Sequence, residues 1–227
     1  MAADDVPGWF GKLSMLGDFA SRRLAPEWVR GCDVWLSACV RESRQSLGDE
    51  WMRVYLSAPV WRFAWAPGVV DAQWWFGALM PSCDSVGRYF PLLIAQARAD
   101  APTDRIALDH LDLWWAHVAR AGLATLADGA TLEGFEEALA HAPPWPSPRR
   151  AHYTRPMPEA GRERLAVAAN ASLADVAGSL AANHWLQRLA NTGLWWPMAA
   201  PGAPGSCTFT PGMPPAAAYA QMLRGQW

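Results

Sequence analysis

The chain has 227 residues, of which 52% are hydrophobic and 18% are charged, and its formal net charge is -2. This composition is typical of a folded domain with a sizeable core and excludes a disordered chain. Its lysines and arginines are scattered, which excludes the basic surface of a nucleic-acid-binding protein, and no apolar run has the length of a membrane span. Because the first twenty residues also lack the apolar segment of a signal peptide, we expect a cytoplasmic protein.

The first motif along the chain is GWFGKLSMLGDF, residues 8–19, which has the glycines and the lysine of a phosphate-binding loop. Such a loop needs four residues between its glycines and a Ser or Thr directly after the lysine. Here only Trp9 and Phe10 separate Gly8 from Gly11, and a leucine follows Lys12. We therefore expect no nucleotide cofactor at this segment.

Two helices and then three strands are predicted next. Residues 26–46 repeat their large apolar side chains at helical spacing, and a shorter helix follows from Asp49. The period then changes to that of strands in VWRFAW (60–65), QWWFGALM (73–80) and YFPLLIAQA (89–97). Because short links join these strands, we predict an antiparallel meander.

The adjacent residues Trp74 and Trp75 point to opposite faces of a strand, so burying both requires cover on both faces of the sheet. Three predicted helices supply that cover. One spans residues 109–128, a shorter one begins after Thr131 as its cap, and a third spans residues 172–189. The segments GLWWPM and SCTFTPG then form a closing pair of strands, and PPAAAYAQMLRG forms a last helix. We predict an α/β fold, a single-domain three-layer α/β/α sandwich with a mixed sheet.

The composition changes at about 142–164, where prolines and arginines accumulate in PPWPSPRRAHYTRPMPEAGRER. We interpret this stretch as an exposed connection within one domain that spans residues 1–227. No internal repeat is visible.

No motif predicts a catalytic, cofactor or metal site. The four cysteines lack CxxC spacing, and Cys32 and Cys39 fit one apolar helix face, so we expect buried free thiols in a reducing compartment. HExxH is absent, and no G-x-S-x-G elbow surrounds Ser82.

Charged residues embedded among apolar ones are the strongest candidates for a site: Asp18, Arg62, Asp84 and Arg88. A buried arginine needs a carboxylate partner, so we favour structural ion pairs, with Asp18 or Asp84 as the partner of Arg62. A phosphate or carboxylate of a binding partner is the alternative. With Trp9 near the terminus and Trp145 in the proline-rich stretch, some of the fifteen tryptophans are expected to be exposed, which indicates protein recognition.

Several motifs in order resemble the TagF family of type VI secretion-associated proteins. They are Phe10-Gly11-Lys12-Leu13 with Gly17-Asp18-Phe19, then Ala58-Pro59-Val60-Trp61-Arg62-Phe63, the stretch from Pro81-Ser82 through Pro91, and a late GLWWPM. The resemblance covers the chain from Gly8 to about Leu223. It implies a three-layer α/β/α fold in which the Gly-Lys segment is a strand and turn.

The resemblance also implies a function. Family members act as post-translational repressors of secretion-machine assembly, through the cytoplasmic forkhead-associated scaffold protein of the machine. We therefore expect a non-enzymatic regulator that works by protein–protein binding. Two alternatives remain: a hydrolase or phosphate-ester-binding enzyme that uses Ser82, Asp84, Arg88 and Asp18, and a structural assembly factor.

Overall fold

The structure is a computed structural model, and it describes residues 6–145, 153–154, 166–167, 169, 171–198 and 205–227. The Pro/Arg-rich connection predicted at about 142–164 lies largely outside these residues. None of the helices within the described ranges is long and apolar enough to cross a lipid bilayer.

Seven strands form the main sheet. They are β1 (Gly8–Gly11), β2 (Ala20–Arg22), β3 (Trp61–Trp65), β4 (Trp74–Met80), β5 (Leu92–Arg98), β8 (Thr192–Pro197) and β9 (Thr208–Pro211). Their order in the sheet is β2-β1-β5-β4-β3-β8-β9. Two short strands, β6 (Tyr153–Thr154) and β7 (Ala166–Val167), pair separately. The meander β3-β4-β5 and the closing pair β8-β9 confirm the sequence prediction.

Every pair of neighbouring strands in the described sheet is antiparallel, so the prediction of a mixed sheet was wrong. The chain leaves β5 and returns to the sheet at β8 only after a long helical connection. After such a long connection the chain can re-enter the sheet from either end. Here it enters at the end that makes β8 antiparallel to β3.

The helices are α1 (Pro26–Leu47), α2 (Trp51–Leu56), α3 (Arg105–Ala124), α4 (Leu132–Ala140), α5 (Leu173–Arg188) and α6 (Tyr219–Leu223). Side-chain caps determine where three of them begin, because each cap accepts a backbone N–H that the helix leaves free. Asp104 caps α3, Thr131 caps α4 as predicted, and Ser172 forms a capping box at α5. The third helix ends at Ala124, before Leu126, which is exposed rather than facing the core.

Alternate residues of the central strands contribute to two hydrophobic clusters. The first cluster contains Trp75 with residues of α1, α2 and α6, and the second contains Trp74 with residues of α3 and α4. The prediction that these two tryptophans point to opposite faces is therefore confirmed. By contrast, α5 has no fully buried residue.

Cys32 and Cys39 lie on the buried face of α1 as free thiols, as predicted. Burial raises the pKa of both thiols above the ordinary value, so neither is a ready nucleophile.

Candidate functional site

A buried ion-pair network joins the end of β1 to the loop between β4 and β5. Lys12, directly after β1, is buried, and its Nζ donates a hydrogen bond to Oδ2 of Asp84 at a distance of 2.5 Å. The same oxygen accepts from Nε of Arg88 at 2.6 Å, while Oδ1 accepts from the backbone N–H groups of Val86 and Arg88 at 3.2 and 2.8 Å. Both oxygens of Asp84 are thus engaged by donors that favour the ionised carboxylate.

Neutral hydrogen bonds fix the base of the same loop. The Oγ of Ser82 donates to the carbonyl oxygen of Lys12 at 2.7 Å. The hydroxyl of Tyr55 donates to the carbonyl oxygen of Ser82 and accepts from its N–H, each at 3.0 Å. The N–H of Ser85 donates to the carbonyl oxygen of Leu16 at 2.9 Å. These bonds join the β4–β5 loop and the segment after β1 into one unit.

The network determines the charge of Asp84. Burial alone would raise the pKa of this carboxyl, but hydrogen bonds from Lys12, Arg88 and the N–H of Val86 outweigh burial and hold its pKa well below the ordinary value. Because the pKa is lowered in the folded state, ionised Asp84 stabilises the fold above the unfolded-state pKa of about 4. That contribution is lost as the pH falls from there towards the folded-state pKa.

The difference in unfolding free energy between the wild type and Asp84→Asn is therefore expected to be largest near neutral pH. It should shrink as the pH falls from about 5 towards 3, because over this range the Asp84 carboxyl takes up a proton in the unfolded wild-type chain while it stays ionised in the folded protein. Urea unfolding at a series of pH values measures it. A difference that stays constant over this range would contradict the assignment of Asp84 as an ionised group.

The exposed side of the network presents four side chains, which we call the loop face: Asp18, Phe19, Val86 and Arg88. The side chains of Asp18 and Arg88 are 80% and 56% exposed, and Phe19 and Val86 are 46% and 68% exposed. Nη2 of Arg88 donates to the carbonyl oxygen of Gly17 and lies 3.9 Å from Oδ1 of Asp18. The loop face thus combines two apolar side chains with two opposite charges.

Phe19 covers the buried network from the solvent side. Nζ of Lys12 lies 4.4 Å from the centroid of its ring, at the distance of a cation–π contact. The ring also packs edge-on against Phe90, with 4.8 Å between centroids. Phe19 is therefore anchored at one side while its other side remains exposed to solvent.

Arg62 lies away from the loop face. It projects from β3 towards α3, where its Nη1 donates to Oδ1 of Asp112 at 3.2 Å. The prediction that Asp18 or Asp84 is its partner was therefore wrong. Its neighbours in the sheet are Ala78 and Trp196, whereas Asp84 lies in the loop beyond β4. Of the four charged candidates, the structure brings together Asp18, Asp84 and Arg88.

Some tryptophans are exposed as predicted, and Trp185 is one of them, but the candidate Trp9 is not. Trp9 is fully buried because its side chain lies in the second hydrophobic cluster, where its ring packs against Phe135 of α4. Its Nε1 donates to Oε1 of Glu136 at 2.6 Å, and Arg23 pairs with the other oxygen. Burial raises the pKa of Glu136, but these two partners outweigh it and lower the pKa. Trp145, the other candidate, is half-buried against the second hydrophobic cluster.

Sequence reasoning missed Lys12 as a functional candidate, because it tested this lysine only as part of a phosphate loop. A usable signal was present: Lys12 lies between Gly11 and Leu13 in an apolar segment, and a buried lysine needs a carboxylate. The exposure of Phe19 and Val86 follows from the loop geometry and has no counterpart in the apolar pattern.

The network does not have the form of an open acid–base site. Ser82 and Asp84 are both buried, and the hydroxyl of Ser82 donates to a backbone carbonyl rather than to a base. Within the described ranges no group of three or more His, Cys, Asp or Glu side chains could hold a metal ion. The arrangement is that of a structural ion pair in which the Asp84 side chain is buried and the Arg88 side chain is exposed.

Comparison with known proteins identifies the family. Residues 8–142 match the TagF N-terminal domain, described as type VI secretion system-associated. The chain is also similar to the crystal structure of PA0076 from Pseudomonas aeruginosa PAO1, with 33% identity, a TM-score of 0.73, and coverage of 96% of this chain and 94% of that one. No curated protein matched. Both β1 and the β4–β5 loop fall inside the matched residues, and the chain belongs to the TagF N-terminal domain family of type VI secretion system-associated proteins.

Proposed function

We propose that this protein is a non-enzymatic, post-translational repressor of type VI secretion assembly, and that it acts by binding the forkhead-associated scaffold protein through the loop face. Membership in a family associated with this secretion system supports the setting. The observation that carries the surface assignment is the buried Lys12–Asp84–Arg88 network. It holds two loops in one arrangement, so that the loop face is preorganised for a partner.

Preorganisation matters because ordering a loop on binding reduces affinity. Phe19 and Val86 supply exposed apolar area, and Asp18 and Arg88, in the same two segments, supply exposed charges. An apolar centre with a polar rim is the usual composition of a protein interface. The same internal bonds that disfavour catalysis by Ser82 and Asp84 therefore favour a binding role.

The experiment that tests the function is co-purification of the full chain with the forkhead-associated scaffold of the same secretion cluster, followed by titration calorimetry. A stable one-to-one complex supports repression by sequestration. If both proteins are folded and no complex forms, the proposal is wrong for this chain.

Reversing the charge at Asp18 is expected to weaken scaffold binding by about tenfold without lowering the melting temperature. Asp18→Arg places a second cation beside Arg88 on the loop face, and its side chain is solvated in the free protein. Calorimetry measures the affinity, and thermal unfolding checks the fold. Asp100→Arg is the matched control, because Asp100 is exposed just beyond the opposite end of β5. Equal affinities for the two variants would place the interface elsewhere.

The alternative of a structural assembly factor differs in the sign of its genetic effect. Deleting a repressor raises secretion, whereas deleting a component of the machine abolishes it. The enzyme alternative predicts that a phosphate ester or acyl ester is turned over, and that Ser82→Ala abolishes the turnover.

We further propose that residues 1–227 act as one domain, built as a three-layer α/β/α sandwich and located in the cytoplasm. The two hydrophobic clusters support the layering, because each combines one set of sheet residues with a different set of helices. Limited proteolysis tests the single domain, and cell fractionation tests the location.

A further inference from the structure

A second candidate site lies on the other side of the molecule, and it is an apolar cleft between the sheet, α3 and α5. Its volume is about 960 Å³, within the range of small-molecule sites. The lining is mostly apolar and includes Ala64, Phe76, Leu111, Leu186, Leu194 and Phe209. Because α5 buries none of its residues fully, this wall of the cleft is only loosely packed against the sheet.

Two hydrogen-bond donors in this cleft are without an acceptor. The Nε of Arg62 and the Nε1 of Trp115 are buried, and neither has a partner among the described residues. Both side chains contact the ring of Trp196: the guanidinium lies 5.7 Å from its centroid, and the two indole centroids are 4.5 Å apart. Other buried indole N–H groups, such as that of Trp65 in the first hydrophobic cluster, also lack an acceptor. Trp115 differs from Trp65 because its side chain lines an open cleft.

Buried donors without acceptors are costly, but these two atoms are closed off from the cleft, so a ligand oxygen relieves that cost only if the neighbouring side chains shift. The Arg62 side chain itself is 23% exposed and lines the cleft, so its guanidinium is directly accessible to a ligand. Asp112 binds only Nη1 of Arg62 and its side chain is 62% exposed, so the guanidinium keeps further N–H donors for a second acceptor. The cleft thus offers one cationic donor group beside a long apolar surface. A ligand that matches both has an anionic head and an unbranched apolar tail.

We propose that this cleft binds a single-chain aliphatic carboxylate, a fatty acid, with its carboxylate beside Arg62 and Trp115 and its alkyl chain along the apolar wall. The residues that line the cleft include none of the loop face, so this proposal does not rest on the proposed function. The carboxylate of Asp112 competes with the ligand for the guanidinium of Arg62. Removing Arg62 should therefore weaken ligand binding, and removing the charge of Asp112 should strengthen it.

The test is titration calorimetry of the full chain with sodium dodecanoate below its micelle concentration. We expect saturable one-to-one binding that strengthens roughly tenfold for each two methylenes from octanoate to dodecanoate. Dodecyltrimethylammonium, which has the same tail and the opposite charge, should bind at least about tenfold more weakly. Binding of many molecules without saturation, equal binding of the cationic detergent, or no binding at all would overturn the proposal.

Variants assign the two ends of the ligand. Arg62→Gln should weaken dodecanoate binding by about tenfold or more, and Asp112→Asn should strengthen it severalfold by removing the competing carboxylate. Arg53→Gln is the matched control, because Arg53 of α2 forms an exposed ion pair with Glu50, which precedes the helix, and Arg53 does not line the cleft. If Arg62→Gln does not fold, Ala182→Trp fills the cleft from α5 and should abolish binding. Unchanged affinity in a folded Arg62→Gln or Ala182→Trp protein would overturn the site.

Discussion

Replacing Gly11 with alanine is expected to prevent the chain from folding stably, with a loss of at least about 3 kcal/mol in the free energy of unfolding. Gly11 ends β1 with a φ of 137°, a conformation that L-residues rarely adopt. A Cβ atom at this position would lie 2.1 Å from the carbonyl oxygen of Pro91. Because the obstacle is backbone, the clash separates β1 from β5 and displaces Lys12, the next residue.

Thermal and urea unfolding of Gly11→Ala measure this loss. Gly31→Ala is the matched control, since Gly31 lies on the exposed side of α1 and a Cβ there meets nothing within 4 Å. That substitution should stabilise the protein by about 0.5–1 kcal/mol, because alanine loses less backbone entropy in a helix. Wild-type stability in Gly11→Ala would contradict the observed approach of β1 to β5.

Replacing Asp84 with asparagine is expected to lower the melting temperature by about 10 °C at neutral pH. The amide keeps one oxygen for the backbone N–H groups of Val86 and Arg88, but its NH₂ group opposes Nζ of Lys12. Lys12 would remain buried as a charge without its partner, which costs more than an absent pair. Differential scanning calorimetry measures the change.

The double variant Lys12→Met/Asp84→Asn separates the lost pair from the unpaired charge. Removing the lysine also removes the buried charge, so the double variant should be more stable than Asp84→Asn alone. A double variant whose losses simply add would show that the two side chains act independently, against the short contact between them.

The strands and helices with a regular apolar period could be predicted from the sequence. The alternation of Trp61, Phe63 and Trp65 places their side chains on one face of β3, and the Trp74–Trp75 pair requires two covered faces. These features depend on residues close together in the chain, where period and burial are directly related.

The predictions that were wrong concern relations between distant segments. Arg62 pairs with Asp112 on a helix that follows fifty residues later, and nothing in the apolar period of β3 selects that carboxylate. Trp9 is near the terminus, yet its ring packs against Phe135 of α4, far along the chain. Strand direction at β8 depends in the same way on the course of a long connection.

The candidate site was predictable in part. Asp18, Asp84 and Arg88 were recognisable as charges among apolar residues, and they do lie together. Their central partner, Lys12, could not be identified from the sequence, because β1 had first to be placed beside the loop after β4. That placement follows only from the pairing of β1 with β5 and of β5 with β4.

The interior position of β1 also bears on how the chain folds while it is being synthesised. Gly8 pairs with Ala95, and Trp61 pairs with Pro197, so the partners of these strands are made roughly 90 and 140 residues later. At about 5–20 residues per second, that delay lasts from about 4 to about 30 seconds. During this time the apolar strands β1 and β3 lack a native neighbour on at least one edge, and an unpaired strand edge can pair with another chain.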